Sequence, residues 1–351
     1  MASEDTIILG KSELLAYASD IFVAAGVPRT MADEWAGILI WANLRGVDSH
    51  GVIRIPRYLD LLRRKTINTA PDIRVEKRAG AISIMDADRA PGVIAMARAM
   101  EEAIARAREV HVGWCAARNV THTGAIGYFA LMAAEAGMAG IATGASSPMM
   151  AYHGARVAGV SSNPLAIAVP AGKRRPLVID ISTANVAMGK ILGARDAGRE
   201  VPRGWGIDAE GRDTTDPKQI ATLLPLGGPK GSGLSLLIEC LVSLTVGNPL
   251  VARALIDKNL ADNPVQNGLA IAVDLSVFGD LDRFAAEVDR LGDAVVALPR
   301  AEGVDRIFLP GERGNTVMAE REVNGIPIPK GTWDRIAAAA RAIGVEPPRA
   351  D

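Results

Sequence analysis

Apolar positions recur at three- and four-residue spacing near the start of the chain, and this pattern predicts three helices. Ser12 to Ala25 forms the first, with Ser12 as N-cap and Gly26-Val27-Pro28 as the stop. Thr30 followed by Asp33 opens a second, whose Trp35, Ile38, Leu39 and Ala42 share a face before Gly46 ends it. Pro56 fits the first turn of a third helix carrying Tyr58, Leu59, Leu61 and Leu62. Between the second and third lies "RGVDSHGVIRIPRY", Arg45 to Tyr58, in a loop that can present side chains to a cleft.

From about residue 80 the period changes. "AISIMDA" reads as a strand, "PGVIAMARAMEEAIARARE" as a helix starting at Pro91, and "VGWCAAR" as a strand. "AIGYFALMAAEAG" is a helix and "GIATGAS" a strand; "PLAIAVP" and "PLVIDIS" look like paired strands joined by a Gly-Lys-Arg-Arg turn. Then come the helix "SGLSLLIECLVSLTVG", the strand "GLAIAVDL" and the amphipathic helix "DRFAAEVDRLG". Alternation of this kind predicts an α/β chain with a central sheet and helices on its faces. The terminal helix "GTWDRIAAAARAIGV" is expected to return onto the N-terminal helices.

Composition narrows the classes. Hydrophobic content of 49% with 23% charged residues fits a folded globular chain, and 351 residues can form two or more lobes. Net charge is −1 with no run of five like charges, so no electrostatic footprint for nucleic acid is visible. Cys115 and Cys240 form no CxxC, which argues against zinc sites and a disulfide framework. The start "MASEDTIILGKSELL" lacks a basic region followed by an apolar one, and "GLSLLIECLVSLTVG" is too short for a bilayer and carries Glu239. No membrane partner is expected, and the expected address is the cytoplasm.

Within the loop, His50 can exchange a proton near neutral pH, and Ser49 beside it can hold the ring in one tautomer. Arg54 could clamp a carboxylate in bidentate fashion. The plainer alternative is a loop histidine capping the helix near Pro56, with Arg54 solvated. In "NVTHTGAIGYF", His122 follows a strand and precedes a helix, and amides at that helix start would favour a phosphate; a simple glycine-rich turn is the other reading. No G-x-G-x-x-G with a following acidic residue occurs, and "LGGPKGSGLS" fails the P-loop spacing because Lys230 precedes the last glycines. Lys230 amid glycines at a helix start still suits an anion. "FLPGERGN" adds a turn with Arg313, and His111 and His153 lack metal-ligand spacing, so no metal is expected.

Taken in order, "DSHGVIRIPRY", "THTGAIGYFA", "SNPLAIAVP", "DISTANVAMGK" and "GGPKGSGL" resemble the malate/L-lactate dehydrogenase-like family of NAD(P)-dependent oxidoreductases, also called sulfolactate dehydrogenase-like. The resemblance runs from about Glu13 to about Ile343. It implies a non-Rossmann nicotinamide-binding α/β domain with a central mixed sheet, residues 73–317. It also implies a helical domain from both termini, residues 1–72 with 318–351, and a homodimer. The implied reaction is hydride transfer between NAD or NADP and a small 2-hydroxy or 2-oxo acid of the malate, lactate, ureidoglycolate or sulfolactate type. Alternatives are a reductase of cyclic imino acids or a non-catalytic dinucleotide-binding redox sensor.

The resemblance assigns His50 as acid/base with Ser49 as its relay, although some relatives give proton transfer to the histidine matching His122. Arg54, Tyr58 and Ser162 would meet the substrate carboxylate and its surroundings. His122, Thr123, Gly124, Ala125 and Ile126 would line the cofactor. So would Asp180, Ile181 and Ser182, then Pro229 and Lys230, then Ile307, Pro310, Gly311, Glu312 and Arg313. Departures are "DISTANVAMGK" for "DMATS-x-VA-x-GK", Pro229 for a common His or Tyr, and Tyr152-His153 where small residues are usual.

Overall fold

A computed structural model describes residues 6–196, 198–257 and 264–348. Residues 1–5, which begin the stretch read for a targeting signal, and 349–351, the end of the terminal segment, lie outside the described residues. The first part of the chain is helical: β1 (Thr6–Leu9), α1 (Lys11–Ala24), α2 (Arg29–Leu44) and α3 (Ile55–Arg63), with two short 3-10 turns, Asp48–His50 and Val52–Arg54, between the last two. Pro56 lies in the first turn of α3, as its fixed φ favours. Ser12 is not a cap; α1 begins one residue earlier, after Gly10. Likewise α2 begins after Pro28, ahead of Thr30, because a proline's extended ψ can end one segment and open the next.

The alternating middle of the chain folds as β2 (Arg74–Ala79), β3 (Ile82–Asp86), α4 (Gly92–Val110), β4 (Val112–Val120), α5 (Gly127–Glu135), β5 (Met138–Ala145), β6 (Met150–Ala151), β7 (Ala158–Val160), β8 (Leu165–Val169) and β9 (Leu177–Ile181). Next come α6 (Met188–Asp196), β10 (Gly206–Ile207), β11 (Thr222–Leu223), α7 (Pro229–Glu239) with a π turn at Cys240–Leu244, α8 (Val251–Ile256) and β12 (Gln266–Asp274). The chain then runs through α9 (Leu281–Val296), α10 (Glu312–Asn324), β13 (Ile326–Pro329) and α11 (Lys330–Arg341). The central sheet is mixed, in the order β2-β3-β4-β12-β5-β8-β9, with β3 and β4 parallel and the other neighbours antiparallel. A four-stranded sheet, β10-β11-β6-β7, stands apart from it.

Side chains alternate faces along β4 and β12. Cys115, Ala117, Ala270 and Ala272 join the core shared with α4, α5 and the N-terminal helices, while Ala116 and Leu269 pack against Ile238 of α7, Val242 of its π turn and Val246 just beyond. Small residues set the helix-to-sheet distance. A Cβ on Gly113 would stand 1.7 Å from the Ala103 carbonyl oxygen, so α4 can lie this close only over glycine. Few aromatics and abundant alanine therefore give close layers rather than bulky ones.

One face of the sheet is covered over its middle strands and open toward both edges. Ile82, Trp114, Ile271, Ile141, Ile167 and Ile179 are successive cross-strand partners, forming one row across six strands. Ile82, Ile167 and Ile179 in that row are exposed, as are Leu237, Leu241 and Leu244. At the other side of the molecule β1 and β13 pair antiparallel and bring the two chain segments together. As expected from the sequence, α11 returns to the N-terminal helices, with the Trp333 ring 5.4 Å from that of Tyr17. No helix among the described residues is long and apolar enough to cross a membrane.

Candidate active site

The loop after α2 is built on a buried amide. Asn43, on the last turn of α2, accepts a hydrogen bond from the Val52 backbone N–H at 2.8 Å and donates to Asp48 Oδ1 at 2.7 Å. The glycine of the Ser-His-Gly run is required by this contact, because a Cβ on Gly51 would lie 2.1 Å from Asn43 Oδ1. Asp48 is held from the other side by Arg321 of α10, Nη1 to Oδ1 at 2.6 Å and Nη2 to Oδ2 at 3.1 Å. The loop is thus tied at both flanks before Ser49 and His50 project from it.

Ser49 Oγ and His50 Nδ1 lie 2.8 Å apart. Arg54 Nε donates to the Ser49 carbonyl oxygen at 2.6 Å. No carboxylate among the described residues pairs with the Arg54 guanidinium. His122 comes from the turn after β4, and its ring stacks near that of His50, with centroids 5.6 Å apart and planes at 13°. Tyr58, expected at the substrate, is fully buried behind His122, its hydroxyl 2.8 Å from Nδ1. Its hydroxyl is thus turned to the histidine ring.

Electrostatics keep both imidazoles neutral. Burial, and then the charge of Arg54, push His50 down to about 4. Burial, then Arg54, His50 and Arg57, push His122 well below the ordinary imidazole value. Burial pushes the Tyr58 hydroxyl well up, so it stays protonated. The protonated Tyr58 hydroxyl can donate to Nδ1, and in that tautomer the proton of neutral His122 sits on Nε2. A cleft of about 280 Å³ opens beside Ser49, with Gly189 and Lys190 of α6 on its wall.

The other expected residues meet along β9. At its start, the Val178 N–H donates to the Pro310 carbonyl at 3.3 Å, and Gly311 packs tightly on Val178. Arg45 donates to the Gly311 carbonyl at 3.1 Å and to Asn315 at 2.5 Å. Asp180 Oδ2 accepts from the Gly127 N–H at 2.8 Å, which fastens β9 to α5 just after the segment Thr123, Gly124, Ala125 and Ile126. Past the strand end, Ser182 Oγ donates to the Ser162 carbonyl at 3.2 Å, and the Leu226 N–H donates to the Thr183 carbonyl at 2.8 Å. Ile181 lies between these ties, half-buried.

Leu226 leads directly into α7. That helix starts at Pro229 rather than at Ser232, since Gly228 takes φ 62° and proline suits the first helical position. Pro229 and Lys230 are consequently in its first turn, exposed, with the ring of His153 against Gly228. The unusual Tyr152-His153 pair thus sits beside the unusual Pro229. Arg313 and Arg306 stack on the Phe308 ring at 5.0 and 4.9 Å, and Ile307 is half-buried in the same turn. Segments far apart in sequence line one edge, and the exposed Lys230 ammonium at the start of α7 suits a phosphate-bearing ligand.

Sequence reasoning missed Asn43, Asp48, Arg45 and Arg321. A signal existed for Asn43, an amide next to the apolar face of α2; none existed for Arg321, 273 residues away from Asp48 in sequence. Among the described residues, no group of three or more His, Cys, Asp or Glu side chains could hold a metal ion.

Residues 10–337 match the family model described as malate/L-lactate dehydrogenase. Malate dehydrogenase of Pyrococcus horikoshii is 32% identical over 98% of this chain and 97% of its own. Ureidoglycolate dehydrogenase (NAD(+)) of Escherichia coli O157:H7 is 32% identical over 87% of each. The solved structure of Δ1-piperideine-2-carboxylate reductase from Pseudomonas syringae pvar. tomato superposes with a TM-score of 0.83 at 28% identity, covering 95% of this chain and 99% of that one. With the family model spanning nearly all of its length, the chain belongs to the malate/L-lactate dehydrogenase family and is an enzyme of the hydroxyacid dehydrogenase type.

Proposed function

We propose that the protein transfers hydride between a nicotinamide dinucleotide and C2 of a small 2-hydroxy or 2-oxo acid. The observation that carries this is the guanidinium of Arg54, paired with no carboxylate among the described residues, beside two neutral imidazoles. Arg54 binds the substrate carboxylate, whose planar oxygens match its fork. Bound dinucleotide supplies the hydride chemistry. The chain's own residues fix the acid and move the proton at its C2 oxygen. His50, oriented by Ser49, is the acid/base, and His122, oriented by Tyr58, offers Nε2–H as a donor to the same oxygen.

Substrate binding also readies the proton. Arg54 is the second cause of the low His50 pKa, so a carboxylate on its guanidinium offsets that charge and raises His50 toward neutrality. The edge along β9, from Pro310 and Gly311 through Asp180 to Lys230, holds the dinucleotide. The residues divide into a helical domain, 1–72 with 318–351, and a cofactor domain, 73–317. The exposed isoleucines Ile82, Ile167 and Ile179 and the exposed leucines Leu237, Leu241 and Leu244 support a homodimer, because uncovered apolar surface of this kind is costly in water. The address is cytoplasmic.

A second reading, reduction of cyclic imino acids, is favoured by the piperideine-carboxylate reductase neighbour. Both need a carboxylate clamp and a proton donor. Turnover with NADH and NADPH across oxaloacetate, pyruvate, ureidoglycolate and cyclic imines separates them. Binding of dinucleotide without an absorbance change on any acid would instead leave a redox-sensing role.

A further inference from the structure

The start of β9 carries a charge pattern that the proton chemistry does not use. A cleft of about 290 Å³ lies between the β8–β9 turn and the first turns of α10. Its wall holds the guanidiniums of Arg174, Arg175 and Arg306 against a single carboxylate, Glu312, with Asn315 and Thr316 completing it. Both oxygens of Glu312 are already engaged. Oε1 accepts from Arg174 Nη1 at 3.2 Å, and Oε2 accepts from the Leu309 N–H at 3.0 Å and from Arg306 Nη2 at 3.5 Å. Asp293 binds the other nitrogen of Arg174 from outside the cleft.

Arg175 is different. It is exposed and pairs with no carboxylate among the described residues; its Nη1 only faces the Met318 thioether at 3.4 Å. Its charge is felt by Arg45, whose pKa is held down first by burial and then by Arg175. Two guanidiniums thus share this corner, with Asp180 acting on Arg45 less strongly than Arg175 does.

Resting on the dinucleotide reading above, we infer that this cleft takes the 2′-phosphate of NADP(H), with Arg175 as the discriminating side chain, so that NADPH is preferred to NADH. Three arginines against Glu312 in the lining and Asp293 just outside it leave an excess of one positive charge, centred on Arg175, and a phosphomonoester carries roughly −1.5 to −2 at neutral pH. Each phosphate of a pyrophosphate carries less charge, and the pyrophosphate already has a cationic partner in Lys230 at the start of α7, beyond the opposite end of β9. Sites selective for NAD present a free carboxylate to the ribose hydroxyls. Here the lining carboxylate has no free oxygen; it holds two arginines in place for an incoming anion. Guanidinium forks suit three phosphate oxygens better than they suit a diol.

Fluorescence titration of wild type and Arg175→Gln with NADPH and NADH tests this, with 2′,5′-ADP and 5′-AMP as competitors. Wild type should bind NADPH about tenfold or more tighter than NADH, the scale of a charge-assisted hydrogen bond, and 2′,5′-ADP should compete well where 5′-AMP does not. Arg175→Gln should lose most of the NADPH advantage while NADH binding stays within about twofold. Equal affinity of wild type for both dinucleotides overturns the inference, and so does an Arg175→Gln loss of the same size for both, which would place a pyrophosphate in the cleft. In either case turnover of an acid with NADH would leave the dehydrogenase reading standing; a protein that binds neither dinucleotide loses both readings.

Discussion

The two ends of β9 treat positive charge in opposite ways. Beyond its C-terminal end, Arg54 stands beside two histidines and a tyrosine that burial keeps neutral. At its start, three arginines gather in an open cleft, where two of them share one glutamate and Arg175 pairs with none. A proton that must move needs carriers whose charge is easily changed by one incoming anion. A phosphate that must only be held needs fixed charges that nothing changes, and guanidiniums do not titrate.

Removing the proton carriers should break the first end most severely. His50→Ala should lower turnover by about 10²–10⁴-fold with little change in dinucleotide affinity, measured by steady-state kinetics and titration. If that variant stays near wild type while His122→Ala is inactive, the acid/base role belongs to His122. Next in size, Lys230→Ala should weaken dinucleotide binding by about 1.5–3 kcal/mol, for NADH and NADPH alike. Unchanged dissociation constants would remove the first turn of α7 from the site.

Arg54→Lys should raise KM for an acid by roughly tenfold, because a point charge cannot reproduce the fork. Equal KM values for an acid and its amide in wild type would end the clamp assignment. The smallest effect is a titration. In Arg54→Gln the second cause of the His50 shift is gone, so its pKa should rise from about 4, as read by NMR. A group depressed in the folded state contributes stability that is full above its unfolded value, 6.5 for imidazole, and lost as pH falls toward about 4. The wild type should therefore lose stability over that window, and Arg54→Gln should lose less; a His50 pKa that stays put would separate the two groups electrostatically.

The strands that build the site were legible because they are long enough to show their period: β3, β4, β5, β8, β9 and β12 all fall on predicted segments. The small sheet was not, since β6, β10 and β11 have two residues each, too few for any alternation. Nor was α10, whose "ERGNTVMAEREVN" is polar nearly all round and buries only Met318. Its place is set by long-range ties, Arg45 to Asn315 and Arg321 to Asp48. The same distinction runs through the site. Ser49, His50, Arg54 and His122 stood out by residue type and spacing, whereas Tyr58's position behind His122 and the gathering of segments on β9 depend on contacts between residues distant in sequence.

The row of isoleucines has a practical meaning at the bench. Covered by a second copy, as proposed, it would make the folded enzyme a product of mass action, so that its melting temperature rises with protein concentration. Stocks kept concentrated would then hold their activity, while the same protein at assay dilution would part into subunits whose sticky stripe faces water. Loss of rate with time in the cuvette would reflect that separation rather than any fault in the chemistry of His50.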